Sequence, residues 1–374
     1  MPTTLSAIAP TLFSAAKEVA AEAFGAVRAV NTSFDNKGVA LGDFVDVPVQ
    51  SAGAAKDFTP GIVNTTSQTL TASKISVAIT KQRKYDMTLT GEQIRSLENG
   101  GTYQDWATQF FKNAARVLRN EMEADCVAAI KVGASRAVGT SGTNPFASNT
   151  DLIADARKVM IDNGAPMSDA TLLMGTAASN AMQKLGIYNQ AYQAGSDAER
   201  RAGSFGNQYG FKLSESAAVG IHTKGTGSGY LINGTLAVGA TALTVDTGTG
   251  TILAGDVITI AGDTNQYVVV SALSGGTVTI GAPGLLVAPA DDAPVTVTNN
   301  YTSNLFLERS AVVGVVRPPL IPAKSDMMQQ IVTDEMGMTY LLVDEVQYGQ
   351  RVWELHAGWG FKSVNGFQSG VLKG

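Results

Sequence analysis

From Gly225 to Glu308 the chain has no lysine or arginine, although both are common on either side. The stretch is built of short runs rich in valine, isoleucine and threonine, at 243–245, 257–260, 267–270, 278–280 and 295–297. β-branched residues in short runs between glycine- and aspartate-bearing turns predict strands. Gly275-Gly276, between two of the runs, predicts a tight hairpin. Strands this short bury a shared face by curling into a small barrel or pairing as a sandwich. A unit so unlike its flanks is expected to be an all-β domain inserted into an exposed loop of a host.

The host is expected to be a single α+β body, because neither the part before Lys224 nor the part after Glu308 makes a complete layered domain. Its strongest signal is a helix over residues 103–132, roughly 45 Å long at the α-helical rise. Phe111, Ala114, Leu118, Met122, Cys126 and Ala129 form an apolar stripe, widened by Trp106 and Phe110. Thr102 and Asp105 suggest a capping box and Gly133 a stop. Lys112, Arg116 and Arg119 precede Glu121, Glu123 and Asp125. That order opposes the helix macrodipole, which points to partners outside the helix. A second helix is expected to end at Asn163-Gly164. A buried strand over 171–174 should lead into a helix capped by Thr176, and strands are expected between Met328 and Phe361.

Two segments look too poorly anchored to stand alone. Residues 12–27 form a short amphipathic helix, either packed locally or laid as an arm on a neighbour. Strands near 39–49 and 75–90 flank a small, polar excursion and predict a long projecting hairpin. A two-stranded hairpin is marginal in water, so it should lie against a partner.

Chemistry is sparse. His222 and His356 are the only histidines and lack metalloprotease spacing. Cys126, the single cysteine, sits on the helix stripe and reads as an inert buried thiol. The glycine-rich runs at 225–229 and 248–255 lack the lysine and hydroxyl of a phosphate loop. The insert's aspartates match no calcium loop and read as turn formers. The carboxylate pairs Asp334/Glu335 and Asp344/Glu345 read as solvated strand faces. No catalytic residue, cofactor or metal is therefore expected. Lys81-Gln-Arg-Lys-Tyr85 is the densest basic cluster, open to three readings: a solvated face, a subunit contact or a nucleic-acid contact. The net charge of −5 argues against strong phosphate binding. No apolar run approaches the ~20 residues a membrane helix needs. No signal peptide is read at the N-terminus, so synthesis in the cytoplasm is expected.

The order of these parts resembles the major capsid proteins of tailed bacteriophages, with the Hong Kong 97-type fold and, as in podophage-type coat proteins, an inserted β domain. Residues 12–27 are similar to the N-terminal arm. Val39–Val49 and "KISVAITKQRKYDMTLTGEQI" are similar to the two sides of the extended loop. Residues 103–132 are similar to the spine helix. "ATLLMGTAASNAMQKL" and "YGFKLSESAAV" are similar to axial-domain elements, and "MTYLLVDEVQYGQRVWELHAGWGFKSV" to the closing strand return. The resemblance implies an arm (1–38), extended-loop hairpin (39–90), spine helix and peripheral domain (91–150), and axial domain (151–224). The inserted β domain (225–304) and the axial and peripheral return (305–374) would follow.

It further implies a non-enzymatic protein that self-assembles through hexamers and pentamers into an icosahedral shell around double-stranded DNA. Scaffolding and portal proteins would be partners, contact with the packaged DNA would be weak and non-specific, and no membrane would be involved. The chain would be made in the host cytoplasm and end in the virion. Candidate interface residues are Phe13 and Phe24 of the arm, Lys56 and Phe58 of the extended loop, and Lys81, Arg83 and Lys84 of the basic cluster. Arg116, Arg119 and Glu123 of the long helix complete the set. Alternatives are a surface adhesin or glycan-binding protein using the β insert, and an encapsulin-like compartment shell.

Overall fold

The computed structural model describes residues 12, 14–15, 24–34, 40–50, 72–186, 206–322, 327–333 and 338–374. The hairpin's excursion, most of the 12–27 helix, and Phe13, Lys56, Phe58, Asp334 and Glu335 lie outside them.

The long helix, Tyr103–Gly133, organises the body. Phe111, Ala114, Leu118, Met122, Cys126 and Ile130 are buried along one stripe, with Ala129 only half-buried beside it. The stripe packs on the strand Gln350–Ser363, whose Trp353, Leu355, Ala357 and Trp359 point into the same core. Phe111 stacks on Trp353 at 5.6 Å between ring centroids, and Trp106, Phe110 and Tyr103 surround that indole. Thr102 makes no side-chain cap. The capping box belongs to the preceding helix, Gly91–Asn99. There Thr90 Oγ1 accepts the Gln93 N–H, and Gln93 Oε1 accepts the Thr90 N–H.

Two sheets flank the helix. In the first, the strand order is Asn31–Phe34, Val312–Arg317, Gln350–Ser363, Thr339–Gln347, Met327–Thr333. Lys81–Thr90 pairs with Gln350–Ser363 from Gln350↔Thr90 to Trp359↔Lys81. The segment 81–90, expected as one side of the extended loop, is therefore body sheet. The hairpin is confined to Phe44–Gln50 and Ala72–Ala78, paired from Phe44↔Ala78 to Gln50↔Ala72 as a separate two-stranded sheet. Its root is held by Val77 and Ile79, buried against Val313 and Val315. Gly360 makes the close approach possible, because a Cβ there would run into the Ala78 carbonyl.

The second sheet runs through Asn207–Gln208, Phe211–Glu215, Ala170–Met174, Tyr301–Glu308, Ser369–Lys373 and Arg136–Val138. Helices Asp151–Asp162 and Thr176–Gln183 cover it over Phe146, Ile153, Met160, Leu172 and Phe306. The first of them ends at Asn163 and Gly164, the glycine at φ +70°. Thr176 is the first residue of the second helix rather than its cap. Gly175 holds that place, its N–H donated to Asn304 Oδ1 at 2.8 Å.

Within the cation-free stretch, six strands pair antiparallel in a ring: 257–260, 294–297, 230–232, 242–246, 277–280 and 266–274, closed by Val257↔Val268. The ring encloses its own core of Ile232, Leu243, Ile258, Val269, Val278 and Val295. Residues 230–232 are a strand the sequence does not announce, because only three residues of it alternate. The barrel is continuous with the body, since Gln266↔Ala137 and Tyr267↔Arg136 join it to the second sheet. The far boundary falls before Tyr301 rather than at 304. The strand Tyr301–Glu308 lies between Ala170–Met174 and Ser369–Lys373 in the body. It is as poor in cations as the barrel because it is almost wholly buried. The architecture is α+β, and the succession of hairpin, long helix and flanking sheets follows the order the resemblance implies.

Candidate assembly surfaces

The charged residues of the long helix are mostly bound within the subunit. Lys81 reaches Asp125 at 2.8 Å and Glu121 at 3.3 Å, and Arg83 Nε donates to Glu121 at 2.9 Å. Asp125 also accepts the Trp359 indole N–H at 2.8 Å. Lys84 pairs with Glu354 on the adjacent strand, and His356 Nε2 lies 2.8 Å from the same carboxylate. Burial pushes the Glu354 carboxyl up, but Lys84 and His356 outweigh it and hold the group below its ordinary value. The basic cluster thus matches acids displayed one helix or one strand away, and these pairings are the external partners that the helix's charge order calls for. Lys81 and Arg83 are partly exposed. Changing both to alanine is expected to lower stability by no more than about 1 kcal/mol per pair. A denaturant midpoint measurement in low and in high salt checks this, the loss shrinking as salt rises.

Arg119 and Glu123, expected at a subunit interface, are instead 1% and 2% exposed inside this chain. Glu123 accepts the N–H groups of Ala26 (2.7 Å) and Val27 (3.0 Å) and the Ser216 hydroxyl (2.7 Å). Arg119 Nε donates to Tyr340 Oη at 3.1 Å, and its guanidinium lies over the Phe24 ring at 5.5 Å. Phe24 is thereby buried as well, and the segment 24–34 is keyed into the body. The physical reason is register. Positions 119 and 123 are one turn apart and flank the apolar stripe at 118, 122 and 126, so they face the core. Arg116, half-exposed, stays on the outer flank beside Asn113.

The other titratable groups also have structural roles. Asp344 is buried and takes both Arg351 Nε and Nη2, so it is no solvated strand residue; Glu345, its neighbour, is only half-buried. Cys126 is buried, and burial pushes its thiol well above the ordinary value. At the root of the barrel, Asp256 accepts His222 Nε2 (2.8 Å) and the N–H groups of Gly225 (3.1 Å) and Leu253 (2.7 Å). It ties the chain entering the barrel to a loop of the barrel itself. Asp256→Ala is expected to cost about 1–3 kcal/mol through unpaired donors and to raise amide exchange first at 222–226 and 251–256. Among the described residues no group of three or more His, Cys, Asp or Glu is placed to hold a metal ion, and no helix is long and apolar enough to cross a membrane. An open cavity of about 370 Å³ beside Asn144, Ile221, Tyr301 and Gly374 contains no acid–base pair.

What the surface offers is apolar. On the hairpin, Val45 and Val47 turn toward the body while Phe44 is 69% exposed, and Leu41 at its root is 62% exposed. Met328 and Ile331 stand out from Met327–Thr333, the outer strand of the first sheet, and Val346 and Tyr348 from the turn beside it. None of these was singled out from the sequence. Phe44 was legible in principle, because strand alternation puts it opposite Val45 and Val47.

No protein-family model and no curated protein sequence matches the chain. Solved structures do. The chain is similar to a structure titled as the capsid of the cyanophage P-SCSP1u, with 11% identity and a TM-score of 0.49 over 92% of this chain and 86% of that one. It is similar to the capsid of Ralstonia phage GP4 at 10% identity, a TM-score of 0.49 and the same coverage. It is also similar to a virus-like particle from Pyrococcus furiosus, at 10% identity and a TM-score of 0.42 over 97% and 98% of the two chains.

Proposed function

We propose that this chain is the shell-forming major capsid protein of a tailed bacteriophage, assembling through hexamers and pentamers around double-stranded DNA. The observation that carries the reading is the hairpin. It leaves the body as an isolated two-stranded sheet with Phe44 and Leu41 on its exposed side, and such a sheet is marginal unless something covers it. In a closed symmetric assembly the same modest contact recurs at every subunit and its stabilisation accumulates. The internal use of titratable groups fits a structural role and supplies no reacting centre. Scaffolding and portal proteins as partners, weak contact with packaged DNA, synthesis in the host cytoplasm and residence in the virion belong to the same reading.

Negative-stain microscopy and sedimentation of the purified chain over a concentration series test it. Capsomers or uniform closed shells are the expected result, and a chain that stays monomeric throughout overturns the proposal. Nuclease-resistant double-stranded DNA inside the shells separates a phage capsid from an encapsulin-like compartment, which would hold protein cargo.

A further inference from the structure

The chain's net charge is not spread over it. Acids exceed bases by 32 to 27, and Asp246, Asp256, Asp263, Asp291 and Asp292 make up that whole excess. Outside residues 225–300 there are 27 acids and 27 bases, so the body is formally neutral and the barrel carries all of the −5. Only Asp256 is spent internally, on His222 at the root. Asp246, Asp291 and Asp292 are exposed, and Asp263 is half-exposed. Asp263 and Asp291 are held by the barrel's own frame. Asp263 accepts the Tyr267 hydroxyl, which in turn accepts the Leu286 N–H, and Asp291 accepts the Gly234 N–H. The loops 233–240 and 281–293 that bear Asp291 and Asp292 are bonded to each other through Gly239 to Leu285 and Leu285 to Ala240. The barrel is thus an anionic projection with no cation of its own to offset it.

A surface of this kind is repelled by phosphate. Like charges are screened only over a Debye length of about 8–10 Å, and nucleic acid carries its own charge every few ångströms. We infer that the barrel stands on the face of the subunit turned away from nucleic acid, so that in the shell proposed above it projects to the exterior while the neutral body forms the wall. The inference rests on the shell reading. It also gives the absence of lysine and arginine a physical role: a single exposed cation near the barrel's distal loops would offer a foothold to DNA during filling.

Cys126 is fully buried, so a cysteine introduced on the barrel is the one readily reached thiol. DNA-filled particles of an Ala290→Cys chain are treated with a polyethylene-glycol maleimide too large to enter a closed shell. The expected result is a gel shift of nearly all chains while the enclosed DNA stays nuclease-resistant. A thiol silent in intact particles and reactive once the shell is opened with denaturant overturns the inference. Absence of particles is a separate result and strikes the shell reading. Thr235→Cys, on the facing loop, serves if Ala290→Cys misfolds. As a second readout, particles carrying Asp246→Lys, Asp291→Lys and Asp292→Lys are expected to co-sediment with added duplex DNA at low salt, where unaltered particles do not. No difference between the two also counts against an exterior barrel.

Discussion

Glu123→Ala is expected to destabilise the subunit by about 3 kcal/mol or more, from the donors it would leave unpaired. The first N–H groups of a helix have no intrahelical acceptor. For the short helix Gly25–Ala29 that deficit is met by a carboxylate nearly a hundred residues away, which takes the Ala26 and Val27 N–H groups together with the Ser216 hydroxyl. Alanine strands all three donors in a site that water does not reach. Glutamine keeps one acceptor and should lose less than half as much. The measurement is a urea midpoint at constant m-value, with amide exchange at 24–34 as the local reporter. If alanine and glutamine behave alike, the carboxylate is not what holds the segment.

The same residue gives a pH signature. Burial pushes the Glu123 carboxyl up, the bonds from Ala26, Ser216 and Val27 pull it down, and burial wins, so the group sits above its ordinary 4.5. The folded chain then binds this proton more tightly than the unfolded chain. Its contribution to stability is greatest below 4.5 and is lost as pH rises through the folded value. A Glu123→Gln chain has no such proton. Its stability relative to the parent should therefore improve as pH is raised from acid toward neutral.

The long helix, the buried strand at 171–174 and most of the barrel strands were legible because their periodicity is set by one buried face. The charge reversal along the helix also told correctly that partners lay outside it. Which partners was not legible. Lys81 and Asp125 are 44 residues apart and meet only because 81–90 pairs with 350–359 over the helix. The same long-range pairing hid the end of the hairpin, since Ile75 to Thr90 reads as one continuous strand while the fold breaks it at Ile79-Thr80 and gives the second part to another sheet. Arg119 and Glu123 looked like surface residues by type. Only the segment 24–34, packed on that side of the helix, turns their positions into core.

Phe44→Ser is expected to leave the subunit's own stability within about 0.5 kcal/mol, because an exposed side chain away from special features contributes little. Its effect should appear on assembly. Full burial of a phenylalanine against a neighbour contributes about 1.5–3 kcal/mol, and each 1.4 kcal/mol is tenfold in an equilibrium constant. Loss of one such contact therefore weakens a single subunit pairing by roughly tenfold to a hundredfold. A shell subunit engages several neighbours at once, so the concentration at which particles appear should rise at least as steeply as one pairing does. Light scattering against concentration, with the urea midpoint as control, reads both quantities on the same preparation. Lys74→Ala removes a solvent-exposed pair with Asp46 on the same hairpin and should leave the assembly threshold nearly in place. If Phe44→Ser and Lys74→Ala shift the threshold equally, the exposed face of the hairpin is not buried on a neighbour, and the contact that closes the shell has to be sought at the outer sheet edge around Met328 and Ile331 instead.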